Sequence, residues 1–226
     1  MTAEKASLVK RRGHQKEAKF NDQFGSEKYK TNYTNVGADN YISKSNPFYS
    51  VLAEYFNIKS EEDLSVSLKS SNTIQISLGN MPELTDRNKL IVSSVKMSKT
   101  GREATKVDHG ISFSNQIEVL KSRVFWNKYL KKGEFLCYDS GDTYYFFLMD
   151  EVIHFIIENC NWRILDTGRL KGDFLYKNKS KQFLTYEYRS EKKSFVLGAH
   201  GGKKGKEFIE LLKDNVKYYS KDVIYA

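Results

Sequence analysis

Asp39, Lys69 and Glu83, with Glu17 nearer the N-terminus, are the side chains whose types and spacing could do chemistry together. Asp39 stands thirty residues before Lys69 and Glu83 fourteen after it. Cleaving a phosphodiester with a divalent metal needs two or more carboxylates to hold the ion. It also needs a cation near the attacking water and the scissile phosphate. Asp39 and Glu83, helped by Glu17, can supply the acids, and Lys69 the cation.

The elements that must position these groups are legible as patterns. Val66 and Leu68 alternate with Ser65, Ser67 and Lys69, and Ile74, Ile76 and Leu78 alternate with Thr73, Gln75 and Ser77. This predicts two strands meeting as a hairpin at the polar Ser70-Ser71-Asn72 turn, with Lys69 ending the first strand on its polar face. A helix is expected from about Ala6 to Phe24, with Phe20 and Phe24 one turn apart and Gly25 placed to stop it. Residues 35–40 read as a turn beside a short strand, with Asp39 at its tip. Asn46-Pro47 opens a second helix through about Ile58, with Phe48, Leu52, Tyr55 and Phe56 on one face. Residues 79–82, ending in Pro82, break the strand just before Glu83.

Glu17, Ala38-Asp39 and Ser67-Leu68-Lys69 together resemble the motif of the PD-(D/E)xK nucleases, and particularly of type II restriction endonucleases. In that family a helix brings a glutamate, an aspartate sits at a turn before a strand, and the next strand carries an acid two residues before a lysine. The resemblance covers roughly residues 10–85 and departs in two places. Ala38 replaces the proline, and Ser67 replaces the second acid, which leaves the metal short of a ligand. Some restriction enzymes carry a serine there and a glutamate fourteen residues after the lysine, the spacing of Glu83; Gln75 is the other polar group that could complete the site. The resemblance implies an α/β fold, with a mixed central sheet flanked by helices in a single endonuclease domain. Its catalytic core would lie mainly in 5–130, with a β-rich part over about 131–226 gripping DNA. It also implies Mg2+ as cofactor, double-stranded DNA as substrate, products ending in 5′-phosphates, and a two-fold homodimer to cut both strands of a palindrome.

The remaining sequence offers contacts and rivals. Phe135–Tyr138 and Thr143–Met149 flank a hairpin turn, Asp150 can cap a helix to about Asn159, and four short strands follow over 162–199. A last helix is expected from Lys204 to Tyr219. Residues 88–97 are ambiguous between strand and helix, residues 98–110 read as a polar loop, and a long helix is expected over 114–130. Arg169, Lys171 and Arg189 suit phosphates and base edges, and Lys203 and Lys204 in a glycine-rich turn suit a phosphate. Should the target be AT-rich, Asn115 and Gln116 would be candidate readers of its base edges. A second acidic set, Asp173 and Glu187 with Arg189, ranks behind the first because arginine is a poor proton acceptor.

A formal charge of +9 favours an acidic partner. Cys137 and Cys160 are too few for a disulfide framework or a zinc site, so a reducing cytoplasm is the simplest setting. No apolar run is long enough to span a membrane. Two other classes share the basic surface: a non-catalytic nucleic-acid-binding protein, and a DNA glycosylase, which needs no divalent metal.

Overall fold

The computed structural model describes residues 3–25, 40–70, 74–79, 91–98, 101–108, 117–118, 120–123, 126, 133–164, 170–189, 194–199 and 203–224. For 3–12, 76–79, 91–98, 101–108, 187–189 and 194–196 only the backbone is described. The architecture is mixed α/β, with two five-stranded sheets and a two-stranded ribbon among the described residues. The chain divides into two compact units: Met1–Ser71, Lys132–Val152 and Val216–Ala226 form the first, and Asn72–Lys131 and Ile153–Asn215 the second.

In the first unit, helix α1 (Ala3–Phe24) and helix α2 (Pro47–Phe56) accompany a sheet ordered β1 (Asn40–Ile42), β2 (Leu64–Lys69), β6 (Phe135–Asp139), β7 (Thr143–Leu148), β12 (Tyr218–Asp222). β2 and β6 run parallel and every other neighbouring pair is antiparallel, so the sheet is mixed. Leu64, Val66, Phe135, Cys137, Tyr144 and Phe146 line one face and pack with Phe20, Phe24, Phe48 and Leu52 of the two helices. The rings of Phe20 and Phe24 lie 4.8 Å apart and those of Phe24 and Phe48 4.9 Å apart, tilted as aromatic quadrupoles prefer.

Local signals explain the helix ends. Asn46 caps α2, its side-chain oxygen accepting from the Phe48 amide at 2.9 Å, and Pro47 occupies the first turn, where a missing N–H costs nothing. Asn57 ends it with φ 55, a conformation asparagine tolerates. Tyr55 is exposed, so the buried stripe of α2 is Phe48, Tyr49, Leu52 and Phe56. Gly25 does stop α1, through close approach and not a left-handed backbone: a Cβ there would lie 2.8 Å from the Asn21 carbonyl oxygen. Gly133, at φ 78 before β6, leaves no room for a side chain either, since a Cβ would meet the Ser67 amide nitrogen at 2.8 Å.

The second unit carries a sheet ordered β3 (Ile74–Gly79), β11 (Ser194–Ala199), β10 (Lys179–Arg189), β9 (Leu170–Tyr176), β8 (Asn161–Ile164), antiparallel throughout. Helix α4 (Lys204–Asn215) and the later part of helix α3 (Met149–Asn159) belong to it. Phe174 stacks on Phe155 of α3 at 5.5 Å and meets Phe208 of α4 at 5.9 Å.

Four expectations are corrected. The strands around Ser70-Ser71-Asn72 do not form a hairpin: β2 pairs with β1 and β6, and β3 with β11. Alternation marks a strand and says nothing of its partner, and the parallel edge of β6 took the place of the hairpin. The polar stretch 98–110 is not all loop, because β5 (Gly101–Asp108) pairs along its length with β4 (Ile91–Ser98), and ladder hydrogen bonds satisfy a backbone whatever its side chains. The last helix stops at Asn215, and the sequence from Tyr218 forms β12, where the Tyr218 ring meets Tyr145 and Phe147 of β7. Asp150 lies inside the first turn of α3, not at its cap. The helix expected over 114–130 falls largely outside the described residues.

Candidate active site

Lys69 is the last residue of β2, and its Cα partner across the parallel pair is Tyr138. The next residue, Asp139, ends β6. Parallel strands finish at the same edge of a sheet, so the lysine and the aspartate are diagonal neighbours, on strands about 4.8 Å apart. By strand alternation Lys69 shares the face of Ser67 and Tyr138, and Asp139 that of Cys137.

Asp139 is buried and fully engaged. One oxygen accepts from Lys16 Nζ of α1 at 2.8 Å, and the other from the Gly141 amide at 2.7 Å. Burial pushes the Cys137 thiol well up, with a smaller push from the Asp139 charge. Glu17 follows Lys16 on α1 and is half-buried, its Oε2 lying 3.2 Å from His14 Nδ1 one turn earlier. Ser67 is buried at 2% exposure, so the position where the resemblance expects a second acid holds a small hydroxyl.

Asp39 and Glu83 lie outside the described residues. Asn40, the first residue of β1, has Val66 as Cα partner, while Tyr41 and Ile42 face Ser65 and Leu64, so β1 runs away from the Lys69 end of β2. Asn40 is 1% exposed, and among the described residues neither its side-chain oxygen nor its nitrogen has a hydrogen-bond partner. Leaving such groups unmet costs about 1–3 kcal/mol.

Among the described residues no three His, Cys, Asp or Glu side chains gather as a metal-holding group. Asp139 has both oxygens committed and Glu17 is engaged with His14. Of the three acids expected to hold a magnesium ion, only Glu17 is among the described residues.

Gln75 lies on β3 with Gly198 as Cα partner, so its strand is not a neighbour of β2. The rival set is dispersed by register. Asp173 pairs with Gln182 and Glu187 with Val196, while Lys171 and Thr185 are paired between them. Asp173 and Glu187 are thus about four residues, roughly 13 Å, apart along the strands. Asp173 instead accepts from Arg163 Nε at 2.6 Å.

Among the expected contact residues, Lys171 donates to Thr185 Oγ1 at 3.1 Å, Lys203 is exposed, and Lys204 begins α4. Arg189 ends β10 with its side chain undescribed, and Arg169, Asn115 and Gln116 lie outside the described residues.

Sequence reasoning missed Asp139 and Lys16. Asp139-Ser140-Gly141 reads as turn chemistry, which it is, and nothing in the spacing links Asp139 to a lysine 123 residues earlier. No protein-family model matches the chain, and comparisons with curated proteins and with solved structures find no significant match. No described helix is long and apolar enough to cross a membrane.

Proposed function

We propose that the protein is a magnesium-dependent, site-specific endonuclease of the type II restriction class, built on a PD-(D/E)xK core and hydrolysing phosphodiester bonds of double-stranded DNA as a homodimer. The observation that supports this reading best is the register of one sheet. Lys69 lies against Tyr138, so the lysine and the buried Asp139 end neighbouring parallel strands at one edge of a mixed sheet. The charge of +9 suits a polyanionic substrate.

In this reading Asp39 and Glu83, with Glu17, would hold the metal, which would supply a water of lowered pKa and polarisation of the phosphate. Lys69 sets a positive charge where negative charge builds on the phosphorus oxygens. Lys16 and Asp139 are positioning residues: their ion pair fixes α1, and so Glu17, against the end of β6. A non-catalytic binder of nucleic acid is the second reading, favoured by the hydrogen bonds that already engage Asp139 and Glu17.

Mixed-sequence duplex DNA incubated with magnesium should yield discrete fragments with 5′-phosphate ends, and none in EDTA. Lys69→Ala should reduce the cleavage rate by about 10²–10³-fold, as the loss of a charge-stabilising group does elsewhere. Magnesium-dependent fragments undiminished by Lys69→Ala would remove this site from the reaction. DNA binding without cleavage under any metal would leave the binder.

A further inference from the structure

β9 and β10 are joined by a two-residue turn, Lys177-Asn178, between the paired residues Tyr176 and Lys179. Both turn residues have positive φ, 50 for Lys177 and 60 for Asn178, the combination of a type I′ hairpin turn. Asparagine is at home there. A lysine in the left-handed region costs about 1–2 kcal/mol, and such strain concentrates where a side chain has work to do.

Among the described residues the neighbouring strands do not reach this turn. β8 pairs with β9 only over Leu170–Asp173, and β11 with β10 only from Thr185 onward. Residues 175–180 are therefore a two-stranded ribbon extending past the other described strands of the sheet. Lys177 and Lys179 are exposed, neither has an acidic partner among the described residues, and 174–186 contains no Asp or Glu. Lys177 Nζ stands 5.3 Å from the Tyr176 ring, and Lys181 Nζ stands at the same distance while pairing with Glu207. Leu175 is 72% exposed, beside Ser180.

We propose that this ribbon is a contact for duplex DNA, in which Lys177 and Lys179 each hold a backbone phosphate and Leu175 lies against the sugar edge. A two-stranded ribbon is of a size the major groove admits. The tip's charge is unopposed and the phosphate backbone is its complement. The proposal rests on the DNA-cleaving reading above and assigns it a surface remote in sequence from Lys69.

The test is anisotropy of a fluorescent 30-base-pair mixed-sequence duplex, titrated with the full chain in EDTA over a salt series. The double variant Lys177→Asn, Lys179→Gln is compared with Lys59→Gln, Lys206→Gln, which removes the same charge from exposed lysines elsewhere. Each lost phosphate contact lowers the slope of log K against log salt by about 0.9, so the tip variant should lose ~2 per protomer and the control nothing. Lys177→Asn relieves the left-handed strain, so its Tm should not fall and weaker binding cannot be put down to unfolding. Equal slopes in the tip and control variants, or no change in the tip variant, would overturn the contact while leaving Lys69-dependent cleavage untouched. A wild-type chain that binds no DNA at low salt would overturn both this contact and the reading beneath it.

Discussion

Asp139 and Asp173 invite comparison, because each sits on a strand of its own unit, accepts a hydrogen bond from a basic side chain and lies near a buried cysteine. They differ in the second oxygen. In Asp139 it is met by the Gly141 amide, whereas in Asp173 it is buried with no partner among the described residues. A carboxylate with both oxygens met is held as architecture. One with an oxygen unmet carries a desolvation cost that its single ion pair must offset. The solvent side differs as well: Arg163 is half exposed, more open than Lys16, so its pair with Asp173 is the better screened.

The largest expected effect follows from this contrast. Asp139→Ala removes two charge-assisted hydrogen bonds and should cost about 2–3 kcal/mol, held to that range because Lys16 can turn to water. Asp139→Asn, which can still accept from Gly141, should cost about half as much. Urea midpoints would measure both. If Asp139→Ala is no more costly than Asp173→Ala, the distinction between the two carboxylates fails.

Gly172 sharpens the contrast from the second unit. A Cβ there would lie 2.5 Å from Cys160 Sγ, 3.0 Å from the Trp162 ring and 3.1 Å from the Leu184 Cβ. Gly172→Ala should therefore cost about 1–3 kcal/mol as an overpacked core, seen as a lowered Tm. Gly141→Ala is the companion in the first unit. No atom crowds its Cβ position, so only the φ of 112 opposes the change.

The same comparison shows what the sequence could carry. The helix α2, its Asn46 cap and the strands β6 to β11 follow from local signals: a capping residue before proline, alternation, and a Ser-Gly-Asp turn. Partnership did not follow. β2 and β3 looked like a hairpin because both alternate about a polar turn, yet which edge each meets depends on packing far away in the chain. The candidate site divides in the same way. Lys69 at the end of a strand was legible, whereas Lys16 with Asp139 was not, since a long-range ion pair leaves no periodic trace. Over β12 the sequence predicts helix, because Val216 to Tyr219 continues an apolar pattern whose period only the tyrosine contacts to β7 resolve.

The two thiols should behave alike where the two aspartates do not. Burial raises Cys137 and Cys160 above the usual thiol range, with smaller upward pushes from Asp139 and Asp173 respectively, and Lys121 opposes the shift at Cys160. An unfolded thiol ionises near pH ~8.5. Below that pH both states keep the proton and stability is flat. Above it the unfolded state ionises first, so stability falls as pH rises, by about 1.4 kcal/mol per pH unit for each thiol until the folded pKa is reached. Urea midpoints at pH 8, 9 and 10 would show this slope, and Cys137→Ala should remove one thiol's share. A flat profile would mean that the thiols are not held neutral by burial.

The smallest expected effect is the most discriminating. Asp173→Asn removes a charge whose second oxygen is unmet and leaves Arg163 half exposed, free to take up water in place of the ion pair. The loss of the pair and the relief of the buried charge oppose each other, so the net change should be within about 1 kcal/mol of zero. The Asp173 charge also raises the Cys160 thiol, but burial is the larger cause, so the fall of stability between pH 8 and 10 should keep its slope in the variant. A large loss of stability with that slope unchanged would mean that the second oxygen of Asp173 is met in solution by a bound water or cation, which would make it as much a structural carboxylate as Asp139. A small loss with the slope unchanged would mark Asp173 as the carboxylate of the two that remains open to a ligand.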